Sequence, residues 1–334
     1  MNSRTLDKQT LLSVIIPVFN EEEVLPRLFG VVDKVIASLP VRVEVVLVND
    51  GSRDGSLERM LEKKAGDSHY RVIDLARNFG HQQAVSAGLS LARGDVVAIL
   101  DADLQDPPEL LGPMLDRWHH GVDVVYGQRG KREGESAFKR ATAYVFYRLL
   151  NWAASAEIPP DTGDFRLMDR KVVDALNAMP ERQRFLRGMI AWLGYRQEPI
   201  LYDRQARQAG ITKYPLKKMV ALSMDALFSF SMKPLRWMAL AGVGMTLIGV
   251  LLVAVLVVVR LRYPHIFVPG LATTWVALLV LFGFNFLCLG ILGEYVGRTF
   301  VNVQGRPGFL IREVYAQAEP DSEHPGGFPE GRAS

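Results

Sequence analysis

The sequence predicts an α/β domain with a mostly parallel sheet, followed by amphipathic helices at a membrane surface and a two-helix transmembrane hairpin. Three observations in the 334 residues lead to this fold class. Short apolar runs alternate with amphipathic segments over residues 11–126. Two long uncharged segments lie nearer the C-terminus, and the pair Asp101 and Asp103 directly follows one of the short apolar runs.

Five short runs rich in β-branched residues are predicted to be strands. Their residues are apolar with little interruption, which is typical of strands that helices cover on both faces. The predicted strands are residues 12–18, 41–48, 71–75, 96–100 and 122–126.

The segments between these strands carry apolar residues at helical spacing. Strand and helix therefore alternate, and because parallel neighbours need a crossover between them, this order predicts a parallel sheet with helices on both faces. A nucleotide-binding domain is the expected class. The predicted helices are residues 21–39, 56–65, 82–92 and 108–119.

Two aspartates follow the predicted strand at residues 96–100. In extended backbone the side chains of residues i and i+2 point the same way, so Asp101 and Asp103 can present oxygens to one divalent cation. Open α/β sheets bind their ligands at such strand ends. Aspartate also ends strands and caps helices, so the pair by itself leaves a structural role open.

Polar residues end the first two strands as well. Asn20 and Glu21 follow the first strand and Asp50 follows the second, so we expect them at the same sheet edge as the aspartate pair. Capping by Asn20 and a simple turn at Asp50 are the structural alternatives. The first strand does not lead into Gly-x-Gly-x-x-Gly, which disfavours a dehydrogenase, and the missing Gly-x-x-x-x-Gly-Lys-Ser/Thr excludes P-loop NTPases.

Residues 237–259 and 266–293 contain no charged side chain, and each is long enough to cross about 30 Å of hydrocarbon as a helix. Buried core helices are the alternative, but such helices seldom lack a polar face over this length. The short connection makes the pair a hairpin. More basic residues lie on the flanks of the hairpin than in the connection between its helices, which predicts that the flanks are cytoplasmic. The flanking residues are Lys217, Lys218, Lys233, Arg236, Arg298, Arg306 and Arg312, and those in the connection are Arg260 and Arg262.

Two other segments, at about residues 135–153 and at residues 213–234, combine an apolar stripe with basic residues, as helices in the headgroup region do. Packing on the sheet or on a neighbouring subunit is the alternative, and nearness to the spans favours the membrane surface. The predicted organisation is a cytoplasmic catalytic domain at 1–212, an amphipathic helix at 213–234, two spans within 235–293 and a cytoplasmic segment at 294–334 with a disordered tail from residue 316.

The net charge of +3 is small and the basic residues are not clustered, so nucleic acid is not an expected partner. The single cysteine, Cys288, rules out an intrachain disulfide and suits a cytoplasmic domain. Residues 1–9 are polar and do not resemble a signal peptide. Small residues in the first span, Gly242, Gly244 and Gly249, allow close packing in a homo-oligomer.

The chain resembles the inverting family 2 glycosyltransferases of GT-A fold, and among them the polyprenyl-phosphate glycosyltransferases that include dolichol-phosphate mannose synthase and the bactoprenol glucosyltransferases. Two runs are specific: Asp-Ala-Asp-Leu-Gln-Asp-Pro-Pro-Glu at 101–109 and Thr-Gly-Asp-Phe-Arg-Leu-Met-Asp-Arg at 162–170. The resemblance extends from residue 11 to about residue 312. Asn49 is a departure, because many relatives have aspartate there. The supporting segments are residues 14–22, 48–52, 76–80, 210–214 and 292–298.

The resemblance implies a role for each matching residue. Asp101, Asp103 and Gln105 would surround Mg²⁺ or Mn²⁺, and Asp103 and Asp164 would be the catalytic residues, with Asp164 beside the acceptor. The residues implied at the nucleotide are Pro17, Phe19, Glu21, Asp50, Arg77 and Asp101, and those implied at the acceptor phosphate are Arg129, Arg204, Arg207 and Lys213.

The implied reaction moves a hexose from a nucleotide sugar to polyprenyl (undecaprenyl) phosphate with inversion, at the cytoplasmic face of the inner membrane. The product would be a lipid-linked sugar for envelope glycans such as O-antigen. A phosphomonoester with a second pKa of about 6 already carries an anionic oxygen, so Asp164 can be a base or only an orienting group. UDP-glucose is the expected donor; UDP-galactose, GDP-mannose, UDP-N-acetylglucosamine and a UDP-4-amino-4-deoxyarabinose type are alternatives.

Two other functions are disfavoured. A processive polysaccharide synthase needs a channel and a Gln-x-x-Arg-Trp motif, and the nearest run, from Gln183 to Arg187, lacks the arginine and tryptophan at that spacing. A catalytically silent scaffold is disfavoured because Asp101, Asp103 and Asp164 are all present.

Overall fold

The computed structural model of the protein describes residues 4–129, 162–182, 184–202, 233–263 and 270–316. Strands and helices alternate along the first of these ranges, as predicted. Its elements are β1 (Leu11–Val18), α1 (Leu25–Ser38), β2 (Arg42–Asn49), α2 (Ser56–Gly66), β3 (Tyr70–Leu75), α3 (His81–Leu91), β4 (Val96–Ile99), a 3₁₀ turn (Pro108–Leu110), α4 (Leu111–His119) and β5 (Val124–Arg129).

The later ranges add a second group of elements, most of which the sequence did not predict. Only the two long helices were expected, and the strands carry charged residues that obscure their pattern. These elements are β6 (Thr162–Asp169), α5 (Arg170–Ala178), α6 (Leu186–Trp192), β7 (Gln197–Tyr202), α7 (Lys233–Arg262), α8 (Leu271–Val303) and β8 (Ile311–Tyr315).

The strands of the described chain form one sheet in the order β7-β5-β6-β4-β1-β2-β3-β8. Strands β4, β1, β2 and β3 are parallel to one another, which confirms the predicted mostly parallel sheet. Strand β6 lies antiparallel between β4 and β5, so β5 is not a direct neighbour of β4. Strand β7 is parallel to β5, and β8 is antiparallel to β3. The antiparallel insertion of β6 brings its first residues to the carboxyl end of β4.

Hydrophobic cores lie on both faces of the sheet. Leu12, Val14 and Ile16 of β1 are fully buried on the face covered by α1 and α4. Ile15 packs on the opposite face with α3, because successive strand residues point to opposite sides. Each such side chain contributes about 1.5–3 kcal/mol when buried. The two layers explain why the predicted strands are apolar throughout.

Helix α1 begins at Leu25, four residues later than predicted, with a proline in its first turn. Proline is favoured there because its missing N–H would be unsatisfied anyway. The helix N-cap is Val24, so Asn20 does not cap it as the structural alternative required. The residues between β1 and α1, which are not part of the helix, instead make contacts at the sheet edge.

Helices α7 and α8 are long and apolar enough to cross a membrane, with the qualifying stretches at Leu235–Val259 and Val280–Val303. In neither stretch is the most apolar part buried inside the described chain, whereas the same part of a core helix would be mostly buried. Helix α8 continues ten residues past the predicted end at Gly293. Arg298 pairs with Glu294 one turn away at 2.8 Å, which allows the charges to be accommodated on a continuous helix.

Strand β8 returns the chain from the end of α8 to the sheet. The Ala76 N–H donates to the Leu310 carbonyl at 2.9 Å, and Phe309 and Ile311 pack against the core on the α3 face. Described residues on both sides of the helix pair, up to Tyr202 and from Phe309 onward, therefore belong to the sheet domain. Both predicted amphipathic segments, about 135–153 and 213–234, lie outside the described residues apart from Lys233 and Pro234, as does the predicted tail beyond residue 316.

Candidate active site

The loops after β1 and β2 are joined by hydrogen bonds, as expected for neighbouring parallel strand ends. The Arg53 N–H donates to Asn20 Oδ1 at 2.8 Å, and the Asn20 N–H donates to Ser52 Oγ at 3.1 Å. The Gly55 N–H donates to a Glu22 carboxylate oxygen at 2.9 Å. Asn20 has a positive φ of 55°, which asparagine tolerates better than most residues. These bonds fix the first wall of a cleft at the carboxyl edge of the sheet.

Asp50 is buried at the end of β2 and anchors the loop that follows β3. Its carboxylate accepts hydrogen bonds from the Phe79 N–H at 2.7 Å, the Gly80 N–H at 3.0 Å and Asn78 Nδ2 at 3.0 Å. Burial raises the pKa of Asp50, and the backbone donors partly offset that rise. Asp50 therefore does more than form the simple turn of the structural alternative.

Gly51 allows this loop to approach β2 closely. It has a φ of 65°, and a Cβ at this position would lie 2.5 Å from the Arg77 carbonyl carbon and 2.5 Å from the Asn78 nitrogen. Only glycine fits both the backbone conformation and the space. The loop carrying Arg77 is thus held at a fixed position beside the cleft.

Asn49, at the end of β2, pairs with a buried carboxylate. Its Nδ2 donates to Asp74 Oδ1 at 2.7 Å, and Arg312 Nη1 from β8 donates to Asp74 Oδ2 at 3.0 Å. Both Asn49 and Asp74 are almost fully buried. The Asn49 amide and the Arg312 guanidinium therefore each donate a hydrogen bond to one oxygen of the Asp74 carboxylate.

Asn49→Asp is expected to destabilise the fold by about 2–4 kcal/mol, because it sets a second carboxylate against buried Asp74. Mutual repulsion raises the pKa of the new carboxyl in the folded state. The destabilisation is therefore largest above the raised folded-state pKa of this carboxyl, and it is lost as the pH falls from there to the unfolded-state pKa. Thermal unfolding in detergent at several pH values measures this destabilisation. Asn49→Ala is the control, because it removes the same hydrogen bond without adding a charge. Equal, pH-independent losses in the two variants would contradict the prediction.

Asp101 and Asp103 lie at the end of β4, where the sequence placed them. Asp101 Oδ1 is buried and has no hydrogen-bond partner among the described residues. Burial is the main cause that raises the pKa of Asp101 to about 6, and the neighbouring carboxylates of Asp164, Asp106 and Asp103 add to it. The Gln105 N–H donates to Asp103 Oδ1 at 3.1 Å, so Gln105 belongs to the same turn.

This turn suits a hard divalent cation. A buried carboxylate oxygen that accepts no hydrogen bond from the described residues, beside other carboxylates, is stabilised by added positive charge. The described residues contain no group of three or more His, Cys, Asp or Glu side chains arranged for a metal. Mg²⁺ is commonly held by only one or two carboxylates together with substrate phosphates, so the predicted set of Asp101, Asp103 and Gln105 fits that mode.

Asp164 enters the site from β6 and is held by side chains from two helices. Its Oδ1 accepts from Arg187 Nε of α6 at 2.8 Å. Its Oδ2 lies 3.1 Å from His81 Nε2 and accepts from Gln82 Nε2 at 3.0 Å, both from the first turn of α3. Although burial acts in the other direction, Arg187 and His81 hold the pKa of Asp164 far below its usual range.

His81 connects the two acidic groups of the site. Its Nε2 lies 3.1 Å from Asp164 Oδ2 and 3.6 Å from Asp101 Oδ1. The sequence motifs at residues 101–103 and 164 are thus brought within one imidazole ring of each other. Sequence reasoning missed His81, Gln82 and Arg187. The only signals available were the polar run at the start of α3 and the Gln183 to Arg187 run already noted.

The other predicted nucleotide residues lie along the same edge. Pro17 is buried in β1, Phe19 is 43% exposed just after it, and Glu21 is half-buried. Arg77 is exposed and stacks over the Phe79 ring at 4.1 Å. Of the predicted acceptor residues, Arg129 ends β5 and its side chain is not described, while Arg204, Arg207 and Lys213 lie outside the described residues.

A parallel sheet that presents an Asp-x-Asp turn and a third aspartate at its carboxyl edge defines a glycosyltransferase of GT-A fold. Comparison with known proteins agrees with this class. Residues 13–176 match glycosyl transferase family 2. The chain is 42% identical over 307 residues to the uncharacterized glycosyltransferase YkcC of Bacillus subtilis (strain 168), covering 91% of this chain and 94% of that protein.

A second relative carries a more specific name. The SfII prophage-derived bactoprenol glucosyl transferase of Shigella flexneri is 35% identical over 304 residues, covering 91% of this chain and 98% of that protein. The chain belongs to glycosyl transferase family 2. Among solved structures, glucosyl-3-phosphoglycerate synthase from Mycobacterium tuberculosis, in complex with Mn²⁺, UDP-glucose and phosphoglyceric acid, matches with a TM-score of 0.47 and 19% identity over 66% of this chain and 79% of that one.

Proposed function

We propose that the protein transfers glucose from UDP-glucose to polyprenyl (undecaprenyl) phosphate at the cytoplasmic face of the inner membrane, giving a lipid-linked sugar for envelope glycans. The observation that carries the proposal is the cluster of Asp101 and Asp164 on either side of His81, in a chain with two membrane-length helices. Relatives named as bactoprenol glucosyl transferases support both the lipid acceptor and the choice of glucose.

Asp101, Asp103 and Gln105 would hold Mg²⁺ or Mn²⁺ together with the diphosphate of the donor. The cation supplies Lewis-acid stabilisation of the charge that grows on the UDP leaving group. The buried oxygen of Asp101 gives the protein side of this arrangement its strongest support. Asp103 is the second carboxylate, and its position on the turn is fixed by the Gln105 N–H.

The uridine half of the donor would lie against the edge formed by Pro17, Phe19, Glu21 and Arg77. Phe19 is exposed at the rim and available for contact with a base, and Arg77 offers a guanidinium to a phosphate. Asp50 supports this proposal through the loop that it anchors, because its hydrogen bonds to Phe79 and Gly80 fix the segment that follows Arg77.

Asp164 would orient groups in the site instead of removing a proton. Its carboxylate already accepts from Arg187 and Gln82 and contacts His81, and its low pKa makes it a weak base. The acceptor phosphate carries its own anionic oxygen, which can attack the anomeric carbon directly. Attack from the face opposite the leaving UDP inverts that centre.

The membrane placement follows from chemistry and charge. A polyprenyl phosphate keeps its chain in the lipid and its phosphate at headgroup depth, so the enzyme needs a site close to the bilayer. The excess of basic residues on the flanks of α7 and α8 supports a cytoplasmic catalytic domain. Amphipathic helices at about 135–153 and at 213–234 would lie on the membrane surface.

The test is transfer from radiolabelled nucleotide sugars to undecaprenyl phosphate by the purified full-length protein in detergent. The panel includes UDP-glucose, UDP-galactose, UDP-N-acetylglucosamine, GDP-mannose and a UDP-4-amino-4-deoxyarabinose donor, each with Mg²⁺, with Mn²⁺ and with EDTA. Metal-dependent transfer from UDP-glucose supports the proposed reaction, donor and acceptor. Transfer from another donor alone corrects the sugar, and no lipid product from any donor despite UDP binding overturns the proposed reaction.

Arg204→Ala is expected to raise the KM for undecaprenyl phosphate about tenfold or more while changing the KM for the donor little, because the arginine would contact the lipid phosphate. Steady-state kinetics with each substrate varied in turn make the comparison. Arg59→Ala, which removes an exposed arginine from α2, controls for the loss of one positive charge. A change confined to the donor KM would show that residue 204 serves the nucleotide instead.

A further inference from the structure

Asp164 lies beneath two basic side chains. Only 8% of its side chain is exposed, against 28% for Arg187 and 41% for His81. A molecule that enters the cleft therefore meets the guanidinium and the imidazole before it meets the carboxylate. This order of exposure argues against direct contact between Asp164 and the acceptor.

Asp164 holds the Arg187 side chain, and Gln82 holds the backbone just before it. Its Nε donates to Asp164 Oδ1 at 2.8 Å. Gln82 ties the two elements together, because its Nε2 donates to Asp164 Oδ2 at 3.0 Å and its Oε1 accepts from the Leu186 N–H at 3.1 Å. Since Arg187 follows Leu186 in the first turn of α6, this bridge fixes where the guanidinium enters the site.

A positive charge at this position suits the acceptor. Asp103 and Asp164 lie close enough to Asp101 to repel its negative charge, and a phosphomonoester acceptor adds about −1.5 to −2 at neutral pH. Arg166 contributes a buried positive charge below, where it donates to the carbonyls of Gly163 and Asp164. It is 4% exposed, so it cannot meet a large ligand, and Arg187, with 28% of its side chain exposed, is the more accessible of these two described guanidiniums beside Asp164.

We propose that Arg187 binds the phosphate of the acceptor, and that Asp164 is a positioning residue that sets the Arg187 guanidinium for this contact. The inference rests on the proposed function. Arginine suits the task because its planar fork can make two parallel hydrogen bonds to a phosphate, which a lysine ammonium cannot. His81, 3.6 Å from Asp101, places this phosphate next to the donor side of the site.

The test compares Arg187→Ala and Arg187→Lys with the wild-type full-length protein, and uses Arg182→Ala as the control. Arg182 is exposed and five residues away, and its backbone carbonyl, which the substitution keeps, accepts from Gln83 Nε2. Initial rates are measured with undecaprenyl phosphate and UDP-glucose varied in turn. UDP binding in the presence of Mn²⁺ and the thermal unfolding midpoint show whether each variant is folded and retains its donor site.

Arg187→Ala is expected to raise the KM for undecaprenyl phosphate about 10- to 100-fold, as the loss of a charge-assisted bidentate contact does, with UDP affinity within about twofold of wild type. Arg187→Lys should recover part of the loss, and added guanidinium should restore part of the Arg187→Ala rate. Asp164→Asn should also raise the acceptor KM. An unchanged acceptor KM in folded Arg187→Ala overturns the inference, whereas absence of lipid product from the wild-type protein overturns the proposed function and the inference with it.

Discussion

Asp103→Asn is expected to reduce transfer by at least about 1000-fold, because under the proposed function this carboxylate would help to hold the metal that neutralises the leaving diphosphate. Asparagine keeps the volume and one oxygen but loses the negative charge that a hard cation needs. Asp103 lies on the turn after β4, where Gln105 donates to it, and that backbone bond can persist to an amide oxygen. The loss should therefore appear in catalysis and metal affinity with little change in folding.

The measurement is the rate of lipid product formation over a wide range of Mg²⁺ and Mn²⁺ concentrations. Asp116→Asn, on the exposed side of α4, removes the same charge away from the site and should leave the rate unchanged. EDTA should abolish the wild-type rate, and added metal should restore it. Full turnover by Asp103→Asn at ordinary metal concentrations would remove Asp103 from the metal site.

Gly51→Ala is expected to lower the free energy of unfolding by about 2–4 kcal/mol and to abolish detectable nucleotide binding. Two costs combine: the residue has a φ of 65°, and the new methyl group would lie 2.5 Å from backbone atoms of Arg77 and Asn78. The backbone on both sides must move. Because Asp50 holds the same loop, the displacement breaks its hydrogen bonds to Phe79 and Gly80 as well.

Thermal unfolding and UDP binding by calorimetry measure the two effects of Gly51→Ala. Gly66→Ala is the matched control, because no described atom lies within 4 Å of a Cβ at residue 66 and the residue lies in α2. The control should be neutral or slightly stabilising. Wild-type stability and UDP affinity in Gly51→Ala would show that the loop after β3 adapts without penalty.

The first half of the fold could be predicted because its strands are buried on both faces. Continuous apolar runs such as Val14 to Ile16 allow few other structures, and helices between them require parallel pairing. Strand β6 escaped prediction because Asp164 and Arg166, which serve the site, interrupt its apolar pattern. Strand β8 was not predicted because it is a short edge strand whose charged residues are also typical of a surface loop.

The site divides in a similar way. Asp101 and Asp103 could be predicted since they are close in sequence and follow a strand. His81 and Arg187 could not, because they lie 83 and 23 residues from their partner Asp164 and only the packing of α3 and α6 brings them together. The hydrogen bonds between Asp50 and the loop after β3 likewise depend on the position of that loop, which the sequence alone does not give.

The return of β8 to the sheet also has a mechanical consequence. A catalytic domain that is attached to its membrane helices by a single linker can rotate and tilt freely relative to the bilayer. Here the chain enters the hairpin after the sheet domain and rejoins that domain beside β3, with Arg312 pinned to Asp74. With α7 and α8 in a bilayer, as proposed, two attachment points would restrict rotation of the domain about the membrane normal and limit the distance of the active site from the bilayer. A substrate whose reactive group cannot leave the headgroup layer would then find the cleft at a nearly constant distance.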